Sequence, residues 1–561
     1  MDIDNLEGVK IIRLFPGKSF RFAGALRVKV LQGQVEIYGV NIINKAEWHS
    51  VFSDPRKNML LSINNISQNK EVRNFKDKLD GNLIKIKEIK QGESVIAIQA
   101  LKDYTLAEQQ FLLTSNEELN IANISLDDYQ SKSFFNLNNS WRQSFELLVK
   151  ISKKQQLVIL VNGIQNSGKS TYVTALINQL KSLTSNKTYL LDIDPGQPIF
   201  TLAGALSLIE VNGLNLNNIQ TCEHKVISSY FTNSSSPSGN MRYYHECCKS
   251  LIKTYDNIIK TQSANEQSVL LINTPGWVEG LGADILLKAT SIIQPKIVVT
   301  MTKKDQGLKD NDYIEQAKIA FDQLMYVTVE NDINEGAINT KGSVQRNRRL
   351  ISSLIAQSYN KPYLFKQNTL EGSNQLPLQA QNNKVNGDDY FLSKTHAFVM
   401  NKQVSQLISF TDVKLASSDL QFNSKIEILR QFNGQIVAGI QLDEELDQSQ
   451  LEDLKLVQID LKEMKIQPLN LSFFGIVKDI DYNKGMHVIS QNDVDIKCCK
   501  FNTVMIVNEN VFKVPQSYLV QDDLIEIMIC NQVNSQIKSL FYGKNYSDIQ
   551  YLMPDFITVK K

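Results

Sequence analysis

The sequence lacks any apolar stretch close to the ~20 residues that a membrane-spanning helix requires. Its first five residues include Asp2 and Asp4 and contain no apolar run, so we do not expect a secretory signal peptide. Only six cysteines and five histidines occur in 561 residues, and their spacing indicates neither a disulfide framework nor a zinc site. We therefore expect a protein of a reducing intracellular compartment that makes no membrane contact.

An excess of one charge is also missing, because 60 Lys and Arg face 59 Asp and Glu, for a net charge of +1. Proteins that coat long nucleic acids usually carry a clear basic excess. If this chain handles nucleic acid, we expect it to grip an end or a short single strand in a local cleft. The length of 561 residues is too great for one hydrophobic core and predicts several domains.

The most informative segment present is the glycine-rich run 163–171, with the letters GIQNSGKST, which matches G-x-x-x-x-G-K-[ST]. An apolar run at 157–161 precedes it and a helical pattern follows, the context that a phosphate-binding loop requires. Its glycines let successive N–H groups face one phosphate, and the helix adds the positive end of its dipole. Lys169 can then reach the β- and γ-phosphates, and the Ser170 hydroxyl can bind Mg²⁺. The predicted nucleotide-binding residues are Gly163, Ile164, Gln165, Asn166, Ser167, Gly168, Lys169, Ser170 and Thr171.

Hydrophobic periodicity divides the chain into parts of different class. Residues 1–130 alternate short apolar runs with Gly and Asn turns, which predicts a β-sandwich or barrel-like domain. Residues 131–370 alternate strand and helix patterns, which predicts an α/β P-loop NTPase core with a mostly parallel sheet. Residues 371–390 lack periodicity and are predicted to be a linker, and 391–561 are predicted to form a β-rich C-terminal domain.

Within the predicted core, individual elements can be placed. We expect strands at 157–161, 188–193, 268–273 and 296–301, and helices at 172–183 and 282–292, with a further helical pattern at 141–151.

Two carboxylates lie at the end of the strand predicted at 188–193. Continued strand alternation would place Asp192 and Asp194 on one face. Carboxylates beside a bound triphosphate suit metal-water coordination or proton abstraction. An ordinary Asp-Pro-Gly turn is the alternative, but it requires neither the second carboxylate nor Gln197 beside a P-loop. We favour the functional interpretation.

Two later segments add an aromatic side chain and a basic run. Trp277 follows the strand predicted at 268–273, where it would either stack on a base or pack under the sheet, and spacing does not decide between these. The run Arg346–Arg349 is predicted to begin a helix at Leu350. Basic residues oppose the helix dipole at that end, so the run either binds an anion, such as a transferring phosphoryl group, or is ordinary solvated surface.

Taken together and in this order, the segments resemble the signature of eukaryotic polynucleotide 5′-hydroxyl kinases: the P-loop, Asp-x-Asp-x-Gly-Gln, Thr-x-Gly-Trp and Arg-x-x-Arg. The flanks at 31–39 and 474–482 resemble the nucleolar branch, which processes pre-ribosomal RNA, more than the related Clp branch of mRNA 3′-end and tRNA processing. One departure is Thr232-Asn233-Ser234, where the family usually has a glycine.

This resemblance implies ATP and Mg²⁺ as cofactors and a role for each motif residue. Asp194 would accept the proton of an RNA 5′-hydroxyl, while Asp192 and Ser170 would assist Mg²⁺. Trp277 and Thr274 would clasp the terminal nucleotide by stacking and hydrogen bonding. The implied catalytic residues are Lys169, Asp192, Asp194, Arg346 and Arg349, and the implied substrate-binding residues are Gln197, Thr274 and Trp277.

Resemblance to the nucleolar branch further implies a partner and a location. The expected activity is phosphorylation of 5′-hydroxyl RNA ends during internal-transcribed-spacer processing, beside a Las-family endonuclease, in a higher-order complex of the nucleolus. Two alternatives stay open: a Clp-type RNA kinase, and a catalytically silent ATP-bound scaffold in mRNA 3′-end or tRNA processing. A GTPase is disfavoured because no Asn-Lys-x-Asp motif follows the later strands.

Overall fold

The computed structural model describes most of the chain between residues 9 and 512, and every structural statement below concerns these described residues. They are residues 9–22, 24–43, 47–53, 59–68, 73–79, 82–100, 133–216, 224–263, 266–303, 311–331, 342–355, 405–418, 424–442, 448–459, 461, 467–491 and 494–512.

The N-terminal part consists of short antiparallel strands. They are β1 Val9–Leu14, β2 Ser19–Arg21, β3 Gly24–Gln32, β4 Gln34–Ile37, β5 Val40–Ile43, β6 His49–Ser53, β7 Met59–Leu60, β8 Ser62–Asn65, β9 Arg73–Leu79, β10 Asn82–Ile89, β11 Ser94–Ala100 and β12 Ser133–Phe134. Two four-stranded sheets have the orders β1-β11-β3-β6 and β2-β8-β4-β5, while β9–β10 and β7–β12 form separate pairs.

The two four-stranded sheets share one core. Alternate residues of β3, such as Val28 and Val30, are buried together with Val35 and Ile37 of β4. This is the period-two burial that packed sheets produce, and it confirms the β-rich N-terminal region.

The central part alternates strands and helices. Its strands are β13 Leu157–Asn162, β14 Lys187–Asp192, β15 Ala205–Val211, β16 His224–Phe231, β17 Ser268–Asn273, β18 Ile297–Lys303 and β19 Met325–Asn331. Its helices are α1 Asn139–Ser152, α2 Lys169–Leu183, α3 Met241–Thr261, α4 Leu281–Ile293, α5 Asp312–Ala320 and α6 Gly342–Ile355, with a 3₁₀ turn at Pro237–Gly239.

Five of these strands form a parallel sheet in the order β19-β18-β13-β17-β14. Their continuous apolar sequences fit strands that are covered on both faces. Each strand predicted in this part is present within two residues of its expected bounds, and the P-loop core is confirmed. The sheet then continues through β15 and β16, which are antiparallel and were not predicted.

The C-terminal part is again rich in strands. It contains β20 Gln406–Ser409, β21 Lys414–Ser417, β22 Ile436–Gln441, β23 Gln448–Leu451, β24 Leu454–Gln458, β25 Asn470–Asp481, β26 Gly485–Ser490 and β27 Thr503–Ile506, with α7 Lys425–Phe432 and a 3₁₀ turn at Ile496–Cys498. The β-rich C-terminal region is therefore confirmed.

This C-terminal part does not form a sheet of its own. Tyr230 of β16 pairs with Asn470 of β25, so the central and C-terminal strands make one fifteen-stranded sheet. Phe231 and Phe474 pack edge to face beside this junction, with ring centroids 5.9 Å apart. The junction therefore pairs only the carboxyl end of β16 with β25.

One expectation about helix position is wrong. The helix that carries Arg346 and Arg349 begins at Gly342 rather than at Leu350. The arginines therefore lie inside α6, where the supposed conflict with the helix dipole does not arise. The predicted linker at 371–390 lies outside the described residues, and the domain boundaries stay predictions. No helix in the described part of the chain is long and apolar enough to cross a membrane.

A buried ion pair links the N-terminal sheets to the central part. The Glu36 side chain is 0% exposed and accepts two hydrogen bonds from Arg142 of α1: Oε2 lies 2.7 Å from Nη1, and Oε1 lies 3.3 Å from Nη2. The Arg142 side chain remains 39% exposed, so the carboxylate bears most of the desolvation. Such a carboxylate depends on its partner, because an unpaired buried charge is costly.

We therefore expect Arg142→Ala to lower the free energy of unfolding by about 2 kcal/mol, less than for a fully buried pair because the guanidinium is half-exposed. The matched control is Lys249→Ala, which removes an exposed partner of Glu246 and should cost under about 0.5 kcal/mol. Urea unfolding of both variants measures the difference. Equal stability of the two variants would contradict the role assigned to the ion pair.

Candidate active site

The glycine-rich loop 163–171 joins the carboxyl end of β13 to α2. Gly163 has φ +147° and Gly168 has φ +93°, conformations that side chains rarely adopt. Gly168 caps α2 without a side-chain hydrogen bond, and the first turn of the helix holds no acidic residue. The first N–H groups of α2 are thus left without a side-chain partner at the positive end of the dipole, which is the physical basis of anion binding.

Lys169 lies across the mouth of this loop. Its ammonium group donates to the carbonyl oxygens of Gly163 at 2.8 Å and Ile164 at 2.9 Å. Burial lowers the pKa of Lys169 to about 8, and the negative charge of Asp194 partly opposes that shift. The lysine of the loop and the carboxylate after β14 are therefore close enough to interact electrostatically.

Asp192 is the last residue of β14 and is fully buried. One of its oxygens accepts from the side chain of Asn273 at 2.9 Å and from the Asp194 amide at 3.3 Å, and the other accepts from the Ile199 amide. Burial raises the pKa of Asp192 to about 7, against the lowering effect of these hydrogen bonds. Asp192 thus holds both ends of the loop that follows β14, through the amides of Asp194 and Ile199.

Asp194 lies in that loop and is half-buried. One carboxylate oxygen accepts from the amides of Gly196 at 2.9 Å and Gln197 at 3.1 Å. Burial raises the pKa of Asp194, while the Gln197 amide and the cations Lys169 and Arg346 act to lower it. Because β14 ends at Asp192, strand alternation does not extend to Asp194. Both carboxylates act electrostatically on Arg349, but their hydrogen-bond partners differ.

The two arginines of α6 donate hydrogen bonds to two different segments. Arg346 donates to the carbonyls of Val511 at 2.8 Å and Asn510 at 3.2 Å, at the end of the described C-terminal part. Arg349 donates to the carbonyls of Pro198 and Ile199. Burial lowers the pKa of Arg349 to about 9, opposed by Asp192 and by Asp194, so this arginine stays charged at neutral pH.

The segment after β17 supplies the third side of the site. A Cβ on Gly276 would lie 2.8 Å from the Gln165 Cα and 3.1 Å from the Lys169 ammonium nitrogen, so this segment rests directly on the P-loop. The Thr274 hydroxyl is buried and donates to the Val161 carbonyl at 2.9 Å. The Thr274 hydroxyl therefore holds β17 to β13, and a hydrogen bond from it to a nucleotide would require this contact to break.

Trp277 is 40% exposed. Of the two interpretations left open by its spacing, a tryptophan buried under the sheet does not agree with this exposure. Gly282, in the first turn of α4, lies directly against the indole, because a Cβ there would overlap the ring. The ring is thus supported from below and open on another side, as a stacking platform for a base requires.

Several residues of the site belong to none of the sequence motifs. Asn273, which orients Asp192, is signalled only by its position at a strand end. Asn510 and Val511 meet Arg346 across more than 160 residues. Only the three-dimensional fold brings these partners to the site.

A resident metal cage is not a feature of the described part of the chain, where no group of three or more His, Cys, Asp or Glu could hold an ion. Mg²⁺ in phosphoryl-transfer sites is usually held by one or two protein oxygens together with phosphates and water. Ser170, at the first turn of α2, offers such an oxygen. Both oxygens of Asp192, the other residue expected to assist Mg²⁺, already accept from protein donors.

Two family models match the chain. The model for the P-loop of the mRNA cleavage and polyadenylation factor CLP1 matches residues 163–334. The model for the N-terminal domain of polynucleotide 5′-hydroxyl-kinase NOL9 matches residues 7–154. The two matches lie side by side and cover the N-terminal sheets, the P-loop and the segments after β14 and β17, but not the arginines of α6 or the C-terminal part.

Curated relatives carry related names. Polynucleotide 5′-hydroxyl-kinase GRC3 of Gibberella zeae is 31% identical over 196 residues, which is 33% of this chain and 26% of that protein. Polynucleotide 5′-hydroxyl-kinase NOL9 of Bos taurus is 26% identical over 324 residues, 52% of this chain and 45% of that protein. The alignments thus span a quarter to about half of the length of these relatives.

A solved structure shares the fold. A Clp1p structure, from a study of its interface with Pcf11p, superposes with a TM-score of 0.51 at 9% identity, over 90% of this chain and 99% of that one. At this identity the likeness concerns the fold alone.

The different surroundings of the two aspartates predict different effects on stability. Asp192→Ala leaves three buried donors without an acceptor and should lower the free energy of unfolding by about 2–4 kcal/mol. Asp194→Ala affects a half-buried loop and should cost about 1 kcal/mol. Denaturant unfolding of both variants tests this, and a larger loss for Asp194→Ala would refute the assignment of Asp192 as the fastening residue.

Proposed function

Because this chain belongs with the P-loop polynucleotide 5′-hydroxyl kinases of the Clp1 and NOL9/Grc3 type, we propose that it transfers the γ-phosphoryl group of ATP to the 5′-hydroxyl of RNA. The observation that carries the proposal is the meeting of Lys169, Asp194 and Arg346 beside the uncapped start of α2. Two cations near one carboxylate suit a reaction in which a hydroxyl loses a proton while charge builds up on a phosphoryl group.

The chemistry assigns a step to each group. Asp194 accepts the proton of the RNA 5′-hydroxyl while the hydroxyl oxygen attacks the γ-phosphorus of ATP. The bond from that phosphorus to the β,γ-bridging oxygen breaks, and ADP leaves. Lys169 neutralises charge on the β- and γ-phosphates. Mg²⁺, when bound, supplies further charge neutralisation across these phosphates. The raised pKa of Asp194 favours proton uptake from the hydroxyl.

The arginines of α6 have distinct roles in this proposal. Arg346 is half-exposed to the site and interacts electrostatically with Asp194, so it can turn toward the transferring phosphoryl group once it leaves its carbonyl partners. Arg349 is bound to the loop after β14 and holds that loop in place. Asp192, which is enclosed by protein donors, would reach Mg²⁺ only through water. Trp277 would stack on the terminal base of the RNA. Gln197, whose side chain lies beside Gly342 of α6, would contact the RNA strand.

The finer proposal places the chain in the nucleolar branch. The match of residues 7–154 to the NOL9 N-terminal domain supports this choice over a Clp-type kinase. We accordingly propose pre-ribosomal RNA with a 5′-hydroxyl end as substrate, a Las-family endonuclease as partner in a larger complex, and the nucleolus as location. A catalytically silent scaffold is disfavoured because the loop, the carboxylates and the arginines are all in place.

A transfer assay with γ-labelled ATP and a short 5′-hydroxyl RNA tests the activity. Asp194→Ala should reduce the rate by about 10²–10⁴, the usual contribution of a general base, while ATP binding persists. Lys249→Ala, far from the motifs on the exposed face of α3, is the matched control and should keep the rate of the unchanged protein. RNA that already carries a 5′-phosphate should accept no label.

Absence of transfer by the unchanged protein, alone and with a Las-family endonuclease added, would reject the kinase proposal. Full activity of Asp194→Ala would instead reject the role of this carboxylate.

The lowered pKa of Lys169 predicts a pH dependence of ATP binding. Phosphates favour the charged ammonium, so ATP binds the protonated form more tightly. Affinity should stay level below pH 8 and fall as the pH rises above about 8, by up to about tenfold per pH unit. Calorimetric titration with ATP between pH 7 and 9.5 measures it. Lys169→Arg keeps its charge over this range and should bind with a flat profile; an equal decline in that variant would assign the effect to another group.

A further inference from the structure

The hairpin of β4 and β5 has an unusual turn. Ile37 pairs with Val40, which leaves Tyr38 and Gly39 as a two-residue turn with φ +45° and +81°. Positive values at both positions are typical of a type I′ turn, which favours Asn-Gly. A tyrosine in this conformation is strained, and strain of this kind persists only where the surroundings impose it.

The surroundings of this turn are the helix that follows the phosphate-binding loop. Asn178 of α2 donates to the Tyr38 carbonyl at 2.9 Å, and Gln179 donates to the Gly39 carbonyl. A Cβ on Gly39 would lie 3.3 Å from the Ala175 carbonyl oxygen. The turn and the backbone of α2 are therefore in direct contact.

The Tyr38 hydroxyl reaches further, to the first turn of α2. It is buried, and the hydroxyls of Thr171 and Thr174 lie close enough to lower its pKa against the larger, raising effect of burial. Thr174 donates its only hydroxyl proton to the Ser170 carbonyl at 2.8 Å, so it can only accept from Tyr38. A Tyr38 hydroxyl that donates to Thr174 has only its oxygen left, with which it can accept from Thr171. This arrangement, which we call the chain of donors, runs from Thr171 through Tyr38 and Thr174 to the carbonyl of Ser170.

We propose that Tyr38 is a positioning residue of the nucleotide site, which fixes Thr171 and Ser170 so that their N–H groups stay directed at the phosphates of ATP. The inference rests on the proposed function and deepens it: one side chain of the N-terminal sheets sets the geometry at the last two residues of the loop. Burial raises the pKa of Tyr38 above its usual value, so the hydroxyl remains a donor at neutral pH.

The chain offers a matched control on the same helix. Tyr172 is also buried, and its hydroxyl shares a hydrogen bond with Ser144 of α1, on the side of α2 that meets Trp141. Tyr172→Phe therefore removes a buried hydroxyl from α2 without touching the chain of donors that ends at Ser170.

The experiment compares the full-length protein with Tyr38→Phe and Tyr172→Phe, using titration with a fluorescent ATP analogue and thermal unfolding. Tyr38→Phe should weaken nucleotide binding about three- to tenfold, as the loss of one ordinary hydrogen bond would, and Tyr172→Phe less than twofold. Tyr38→Asn, which suits the turn, should fold and show a loss of affinity at least as large.

Unchanged affinity in Tyr38→Phe would overturn the inference. Equal losses in Tyr38→Phe and Tyr172→Phe would also overturn it, because they would show a general loosening of α2. A protein that binds the ATP analogue but does not phosphorylate RNA would refute the proposed kinase activity and leave the role of Tyr38 standing. No binding by the unchanged protein would refute both.

Discussion

Parallel pairing of β13, β17 and β14 brings three strand ends to one edge of the sheet, and the rest of the site depends on this arrangement. The loop after β13 presents the start of α2, the loop after β14 presents a carboxylate, and the segment after β17 rests on the P-loop through Gly276. Since parallel strands place their carboxyl ends at the same edge, residues more than 100 positions apart in the chain reach one cleft.

At this edge of the sheet, differences in burial and in hydrogen-bond partners distinguish the two aspartates from each other and the two arginines from each other. Asp192 has its oxygens satisfied by protein donors and no exposed surface, whereas Asp194 keeps access to the cleft between two cations. The two arginines also differ in their partners: Arg349 donates to the loop after β14, and Arg346 donates to carbonyls of the C-terminal part.

Neither terminal part is a separate appendage. The N-terminal sheets share one core with α1 and α2, and the C-terminal strands extend the central sheet through Tyr230 and Asn470. Both terminal parts therefore contribute to the site: the N-terminal sheets pack against α2, and the carbonyls of Asn510 and Val511 accept from Arg346 of α6. A change in either terminal part can therefore reach the nucleotide without altering a motif.

The sequence by itself determined the strand–loop–helix of the phosphate site, the bounds of four of the five parallel strands to within two residues, and the β-rich flanks, because these follow from local periodicity and glycine placement. It did not indicate β19. It also identified Lys169, Asp192, Asp194, Arg346 and Arg349 as candidates, through the P-loop motif and the resemblance to polynucleotide 5′-hydroxyl kinases. Only the tertiary structure decided that Asp192 fastens a loop, that the Thr274 hydroxyl bonds to β13, that Trp277 is exposed and that Tyr38 touches the P-loop helix. The physical reason is that burial and hydrogen-bond partners are set by packing between segments that are distant in the sequence. The local sequence of one segment does not specify which other segment packs against it.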